Sequence, residues 1–196
     1  MQAALRVFHC LRECSTTHSN CQCNSKAGAT AKPVQQQQPV RHHSVFVPFI
    51  ETAMLIHGAC HCGNIVFDLD WRPEPSEIPA RACTCSFCTK HAGVWTSCPT
   101  GSLRVRVNEP TRVSRYDFGT HTADFHVCTR CGVVPVVTSR IDGALYAVVN
   151  VNTFEGVDET LLRRSPSTLD DETEAVRLAR RRRNWIADVE YVERAD

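Results

Sequence analysis

The chain has 196 residues, with 22 basic and 21 acidic side chains, a balance that gives no global footprint for nucleic acid. No apolar run approaches the roughly 20 residues a membrane helix needs, and the length suits one domain with a tail. A soluble, cytoplasmic protein is the expectation. Twelve cysteines are present. The start Met1–Arg6 makes no convincing signal peptide, because Arg6 and His9 break the apolar run. Adjacent CxC cysteines also pair poorly with each other as disulfides. Metal binding by reduced thiols is therefore expected over a disulfide framework.

Residues 1–53 differ from the rest. They carry Gln35–Gln38, scattered Ser, Thr and His, and no periodicity. Such a tract cannot bury enough apolar surface to offset its ordering entropy. It is expected to be a disordered or non-native N-terminal extension, with an organelle transit peptide as the other reading, since it is poor in acids. It holds Cys10, Cys14, Cys21 and Cys23; Cys21-Gln22-Cys23 resembles a ligand pair, but in a tract without periodicity it reads as incidental. A domain is expected over residues 54–196, starting at Met54-Leu55-Ile56-His57-Gly58.

From there the pattern is one of short β segments. Strands are expected at Asn64–Leu69, Gly93–Cys98, Leu103–Val107, Arg112–Phe118, Asp124–Cys128 and Ala144–Val149. Trp71–Pro79 holds three prolines and reads as a loop. Val133–Val137 is strand-like, and Pro135 suggests an edge or a bulge. Asp170–Arg183 begins with acids and ends with Arg180–Arg183, the polarity that complements a helix dipole. A solvated helix end is the reading for that basic cluster. Trp185–Val192 alternates as a last strand. The fold class is mainly β, a sandwich or folded sheet with one C-terminal helix.

Three cysteine clusters lie among these strands: Cys60-His61-Cys62, Cys83-Thr84-Cys85-Ser86-Phe87-Cys88 and Cys128-Thr129-Arg130-Cys131. A CxC or CxxC holds two thiolates on one tight turn. Gly63 and Gly132 follow the first and third pairs, where a knuckle turn favours positive φ. Those two pairs are expected to form one closed Cys₄ zinc site from Cys60, Cys62, Cys128 and Cys131, since structural zinc is four-coordinate. Such a site contributes on the order of 10 kcal/mol to folding. Cys83, Cys85 and Cys88 remain as three ligands of a second zinc. Cys98 could close that site, although a small buried hydrophobe is the plainer reading. His91 could close it or act as a nearby base, although a solvent-facing histidine is the plainer reading. If neither closes it, zinc keeps an open position and can activate a thiolate or polarise a carbonyl. That chemistry suits a small thiol and an aldehyde.

Gly58–Gly63, Cys83–His91, Tyr116-Asp117-Phe118-Gly119-Thr120 and Cys128–Gly132 together resemble the glutathione-dependent formaldehyde-activating enzyme (GFA) family, which includes the centromere protein V type. The resemblance implies an Mss4-like β fold and two zinc ions per chain. It places structural zinc at Cys60, Cys62, Cys128 and Cys131. It places a second zinc at Cys83, Cys85 and Cys88, with a position left for the substrate thiol. The implied reaction is of the carbon–sulfur lyase type, joining glutathione and formaldehyde. The expected partners are a small-molecule thiol and an aldehyde, with no nucleic acid and no membrane.

The alternative is a non-catalytic zinc-binding module contacting protein or nucleic acid through Arg180–Arg183 and an Arg104/Arg106 face. A redox protein using its CxxC thiols is a third reading.

Overall fold

The computed structural model describes residues 52–169 and 171–194. The extension expected over residues 1–53, with its four cysteines, lies outside the described residues apart from Thr52 and Ala53.

Two sheets form the domain. β1 (Met54–Ala59), β2 (Ile65–Trp71), β5 (Ser102–Val107), the two-residue β10 (Phe154–Glu155) and β12 (Asp188–Glu193) make a five-stranded sheet in the order β10-β1-β2-β5-β12. β3 (Ile78–Cys83), β4 (Val94–Thr96), β6 (Val113–Tyr116), β7 (Asp124–Cys128), β8 (Val136–Ile141), β9 (Ala144–Asn150) and β11 (Leu162–Ser167) make a seven-stranded sheet in the order β11-β3-β4-β9-β8-β7-β6. Two pairings, β3 with β11 and β5 with β12, are parallel. The helices are α1 (Ser86–Lys90) and α2 (Glu174–Asn184). The mainly β class with one longer helix near the C-terminus is therefore as expected.

Strict alternation builds the five-stranded sheet. In β2, Ile65, Phe67, Leu69 and Trp71 are buried, while Val66, Asp68 and Asp70 are half-buried on the other face. In β5, Leu103, Val105 and Val107 point inward and Arg104 and Arg106 outward. This apolar face packs on one face of the seven-stranded sheet, where Ile78, Val136, Ala147, Val149 and the nearby Ile186 join the main core. Burying each such side chain is worth about 1.5–3 kcal/mol.

The seven-stranded sheet is covered on both faces. In β8, Val136 joins the main core while Val137 faces away, into a second cluster with Cys88, Trp95, Val148 and Trp185. Val136 to Ser139 are all buried, as strands covered on both sides are. This corrects the expectation for Val133–Val137. β8 begins after Pro135 and lies inside the sheet between β9 and β7, and the Pro135 carbonyl accepts from the Asn150 N–H at 2.8 Å. Proline is tolerated there because it stands just before the ladder and serves only as an acceptor.

The stretch Trp71–Pro79 is a loop only in its first part. β3 begins at Ile78 and contains Pro79, whose side chain is exposed opposite Arg163 of β11. The helix expected over Asp170–Arg183 starts later, capped by Thr173, whose hydroxyl accepts from the Val176 N–H at 3.4 Å. Its last turn carries Arg181, Arg182 and Arg183, the polarity the dipole favours. No described helix is long and apolar enough to cross a membrane.

Candidate metal centres and the cavity beside them

The first and third cysteine clusters are two knuckle turns of the same design. The first links β1 to β2. The Cys60 N–H donates to Ile65 O at 2.8 Å, and the Gly63 N–H turns back to Cys60 O at 2.9 Å. The third links β7 to β8. The Cys128 N–H donates to Val133 O at 3.0 Å, and the Gly132 N–H returns to Cys128 O at 2.7 Å. Gly63 and Gly132 have φ of 72° and 75°, the left-handed region that glycine enters without strain. One turn has one residue more than the other, which is the difference between CxC and CxxC.

The two turns meet. The sulfurs of Cys60, Cys62, Cys128 and Cys131 all lie within 4.8 Å of one another. Cys60 Sγ and Cys62 Sγ are 3.7 Å apart, and Cys62 Sγ and Cys128 Sγ 3.4 Å. With metal–sulfur bonds of about 2.3 Å, tetrahedral sulfurs stand about 3.8 Å apart, so this donor set fits one zinc-sized ion. The eight described cysteines are all free thiols. Burial pushes the Cys60 thiol up to about 12 and raises Cys128 too. At Cys131 burial acts the same way but is outweighed by the N–H groups of Val133 and Cys62, which bring it down to about 6.

The second group also forms, at a different kind of place. Cys83 ends β3, Cys85 caps α1, and Cys88 lies within α1; their sulfurs are within 4.8 Å of one another. Cys85 Sγ accepts from the Cys88 N–H at 3.4 Å, so this thiol is also the helix cap. The Trp95 indole N–H donates to Cys88 Sγ at 3.3 Å. The Cys88 thiol is pushed far up, chiefly by its bond with Cys83 and then by burial. Among the described residues no fourth Cys, His, Asp or Glu joins this trio.

Cys98 belongs to the main core, with its thiol near Arg72 O and Thr100 Oγ1, and behaves as a small buried side chain. His91 caps the C-terminus of α1, is exposed, and stacks on Phe87 with ring centres 4.4 Å apart. It does not join the thiol group.

The trio borders a cavity of about 710 Å³ on the outer face of the seven-stranded sheet, within the size range of small-molecule sites. Phe118, Gly119 and Thr120, from the Tyr116–Thr120 motif, line it. Phe118 stacks on Phe125 at 5.2 Å, and Phe87 meets Phe125 at 4.8 Å and Tyr116 at 5.1 Å. These rings make an apolar rim beside the thiols. The opposite wall is α2, which presents Arg177, Arg180, Arg181, Asn184 and Trp185; Arg81 of β3 and Glu172 join it.

The reading of Arg180–Arg183 as a solvated helix end holds for Arg182 and Arg183, which are exposed, and is corrected for Arg180 and Arg181, which line the cavity. Arg181 is buried, and its Nη1 donates to Thr122 O, Thr122 Oγ1 and Ser139 Oγ at 2.8, 2.7 and 3.2 Å. Arg180 grips Glu172 with two hydrogen bonds, and Arg182 pairs with Asp142. The available signal was the i, i+4 spacing of Arg177 and Arg181, which puts both on one face of α2. The Arg104/Arg106 face is neutralised in turn: Arg104 pairs with Glu190 and Arg106 with Asp68, each at 2.6 Å.

Comparison with known proteins gives a family match. The sequence model of the family described as glutathione-dependent formaldehyde-activating enzyme matches residues 55–166, more than half of the chain. The chain belongs to the glutathione-dependent formaldehyde-activating enzyme family. A Halomonas elongata protein whose name carries the same description is 33% identical over 85 residues, a match covering 40% of this chain and 52% of that protein. The chain thus spans about half the length of that curated relative. A Rhodobacter sphaeroides protein of known crystal structure is 30% identical, with a TM-score of 0.40, over 53% of this chain and 92% of that one.

Proposed function

We propose that this protein is a zinc-dependent enzyme of the carbon–sulfur lyase type, joining a small thiol such as glutathione to an aldehyde such as formaldehyde. The observation that carries the reading is the trio Cys83, Cys85 and Cys88: three thiols within ligand distance, no fourth protein ligand among the described residues, and a cavity alongside. A closed structural site needs four ligands, whereas catalytic zinc keeps three and an open position. Cys60, Cys62, Cys128 and Cys131 are the structural set, which gives two zinc ions per chain.

Zinc held by the trio would supply Lewis acidity, lowering a thiol's pKa or polarising a carbonyl oxygen. The chain does the rest. Trp95 fixes the Cys88 sulfur by its indole N–H. Cys85 ties the trio to the start of α1. Phe87, Phe118 and Phe125 shed water from the side where the aldehyde carbon must meet the sulfur. One carbon–sulfur bond forms, and the thiol proton ends on the former carbonyl oxygen, so no oxidant or reductant is needed. His91, exposed and stacked on Phe87, is the proton carrier in this scheme and not a ligand.

Cys85→Ser should abolish adduct formation between glutathione and formaldehyde, followed by NMR, while elemental analysis falls from about two zinc per chain to about one. Full activity in Cys85→Ser would end this assignment. His91→Ala should slow the reaction by much less, with metal content unchanged.

A further inference from the structure

The walls of the cavity differ sharply in charge. Four arginines line it, Arg81, Arg177, Arg180 and Arg181, and among the described lining residues Glu172 is the one acid. Glu172 is already engaged by Arg180, with Nε–Oε1 at 2.7 Å and Nη2–Oε2 at 2.9 Å. The other three guanidinium groups meet neutral acceptors. Arg81 Nη2 donates to Ser97 Oγ at 2.8 Å, and Arg177 Nη2 to Leu169 O at 2.7 Å. Arg181, only 6% exposed, bonds to Thr122 and Ser139 and lies over the Trp185 ring at 4.9 Å. The buried Nε atoms of both Arg177 and Arg181 have no hydrogen-bond partner.

Holding a charge out of water without a counter-charge costs several kcal/mol. Burial, and then the charges of Arg177 and Arg180, push the Arg181 guanidinium down to about 10; Glu172 opposes the shift without offsetting it. A guanidinium presents a planar fork that suits a carboxylate through two parallel N–H donors. The thiols and the arginines border one cavity, so a single molecule can meet both.

We propose that the cavity selects its thiol by charge, with Arg177 and Arg181, joined by Arg81, receiving a carboxylate-bearing tail of the substrate. This rests on the reading of the trio as the place where the substrate sulfur reacts. These arginines bind and position; they take no part in bond making. A neutral thiol such as 2-mercaptoethanol gains nothing from this wall, whereas a peptide thiol with free carboxylates does.

The test uses the zinc-loaded full chain and a probe that cannot react. S-methylglutathione keeps both carboxylates and has no thiol; its dimethyl ester has neither. Calorimetry should show S-methylglutathione binding with an affinity that falls as salt rises, and the ester roughly tenfold weaker or worse. Arg177→Gln should weaken S-methylglutathione to a similar degree, with melting temperature as the control for folding. In turnover, Arg177→Gln should lower the ratio of kcat/KM for glutathione to that for 2-mercaptoethanol by roughly tenfold. Equal binding of acid and ester overturns the proposal, whatever the variant does. So does an Arg177→Gln protein that binds S-methylglutathione as before, or inorganic phosphate that displaces the probe with higher affinity than the probe itself. Turnover lost in Cys85→Ser with no role for the arginines would leave the zinc chemistry standing and remove this inference. Full Cys85→Ser activity would overturn the reading of the trio, and with it this inference, even where probe binding depends on charge.

Discussion

The two cysteine groups use the same ligand and sit in opposite surroundings. Cys60, Cys62, Cys128 and Cys131 come from two turns, one in each sheet, and are packed against the main core. Cys83, Cys85 and Cys88 come from one short stretch at the end of β3 and the start of α1, and face a cavity. A site that draws ligands from distant turns closes long loops and works on stability. A site drawn from six consecutive residues crosslinks almost nothing, so a metal held there would add little to stability. The difference lies in chain separation as much as in ligand count.

Four changes would break or sharpen that contrast. The largest effect is expected from Cys128→Ser, which removes a ligand whose site can contribute on the order of 10 kcal/mol. Circular dichroism of the purified variant should show no cooperative native transition, whereas Cys85→Ser should melt within a few degrees of the parent. Similar melting of both would erase the contrast. Next is Trp95→Phe, which removes the indole N–H from Cys88 Sγ. Losing a partner of this kind typically weakens metal binding about 10–100-fold. Competition with a chelator should then release one metal earlier and the other at the unchanged point.

Gly132→Ala comes third. Nothing lies within 4 Å of the added methyl, so the cost is the left-handed backbone alone, about 1 kcal/mol and a few degrees of melting temperature. It should shift stability without touching the metal held by the trio. The smallest effect bounds what surface charge contributes. Burial raises Asp68, but His57 and Arg106 outweigh it and hold its carboxyl below the usual range. A depressed carboxyl stabilises the fold above its unfolded pKa of about 4, and that contribution fades as pH falls through the folded value. Denaturant melts from pH 7 to pH 3 should therefore show Asp68→Asn less stable by under about 1 kcal/mol at pH 7, with the gap closing on acidification.

Local signals were legible and non-local ones were not. The knuckle turns could be read from Cys60–Gly63 and Cys128–Gly132 because ligand spacing and a positive-φ glycine are properties of a few adjacent residues. β2 and β5 were plain because their alternation is strict. β3 and β11 were missed because each depends on the other. They pair in parallel across more than eighty residues and carry Pro79 and Pro166, and β11 is mostly exposed, so no apolar stripe marks it. α1 was missed because its five residues hold no helical period and its cap is a thiol. The trio was readable as ligands, but its cavity was not. That space is built from β3, α1, the segment around Phe118 and α2, which only the fold assembles.

The helix α2 runs between β11, an edge strand of one sheet, and β12, an edge strand of the other. Parallel ladders flank it in the chain, β3 with β11 before it and β5 with β12 after it. The residues matched by the family end at 166, before this helix begins. The three clustered thiols and the α2 arginines therefore occupy separable lengths of chain. Changes confined to α2 would alter that arginine wall, apart from Arg81 of β3, and leave both cysteine groups as they are.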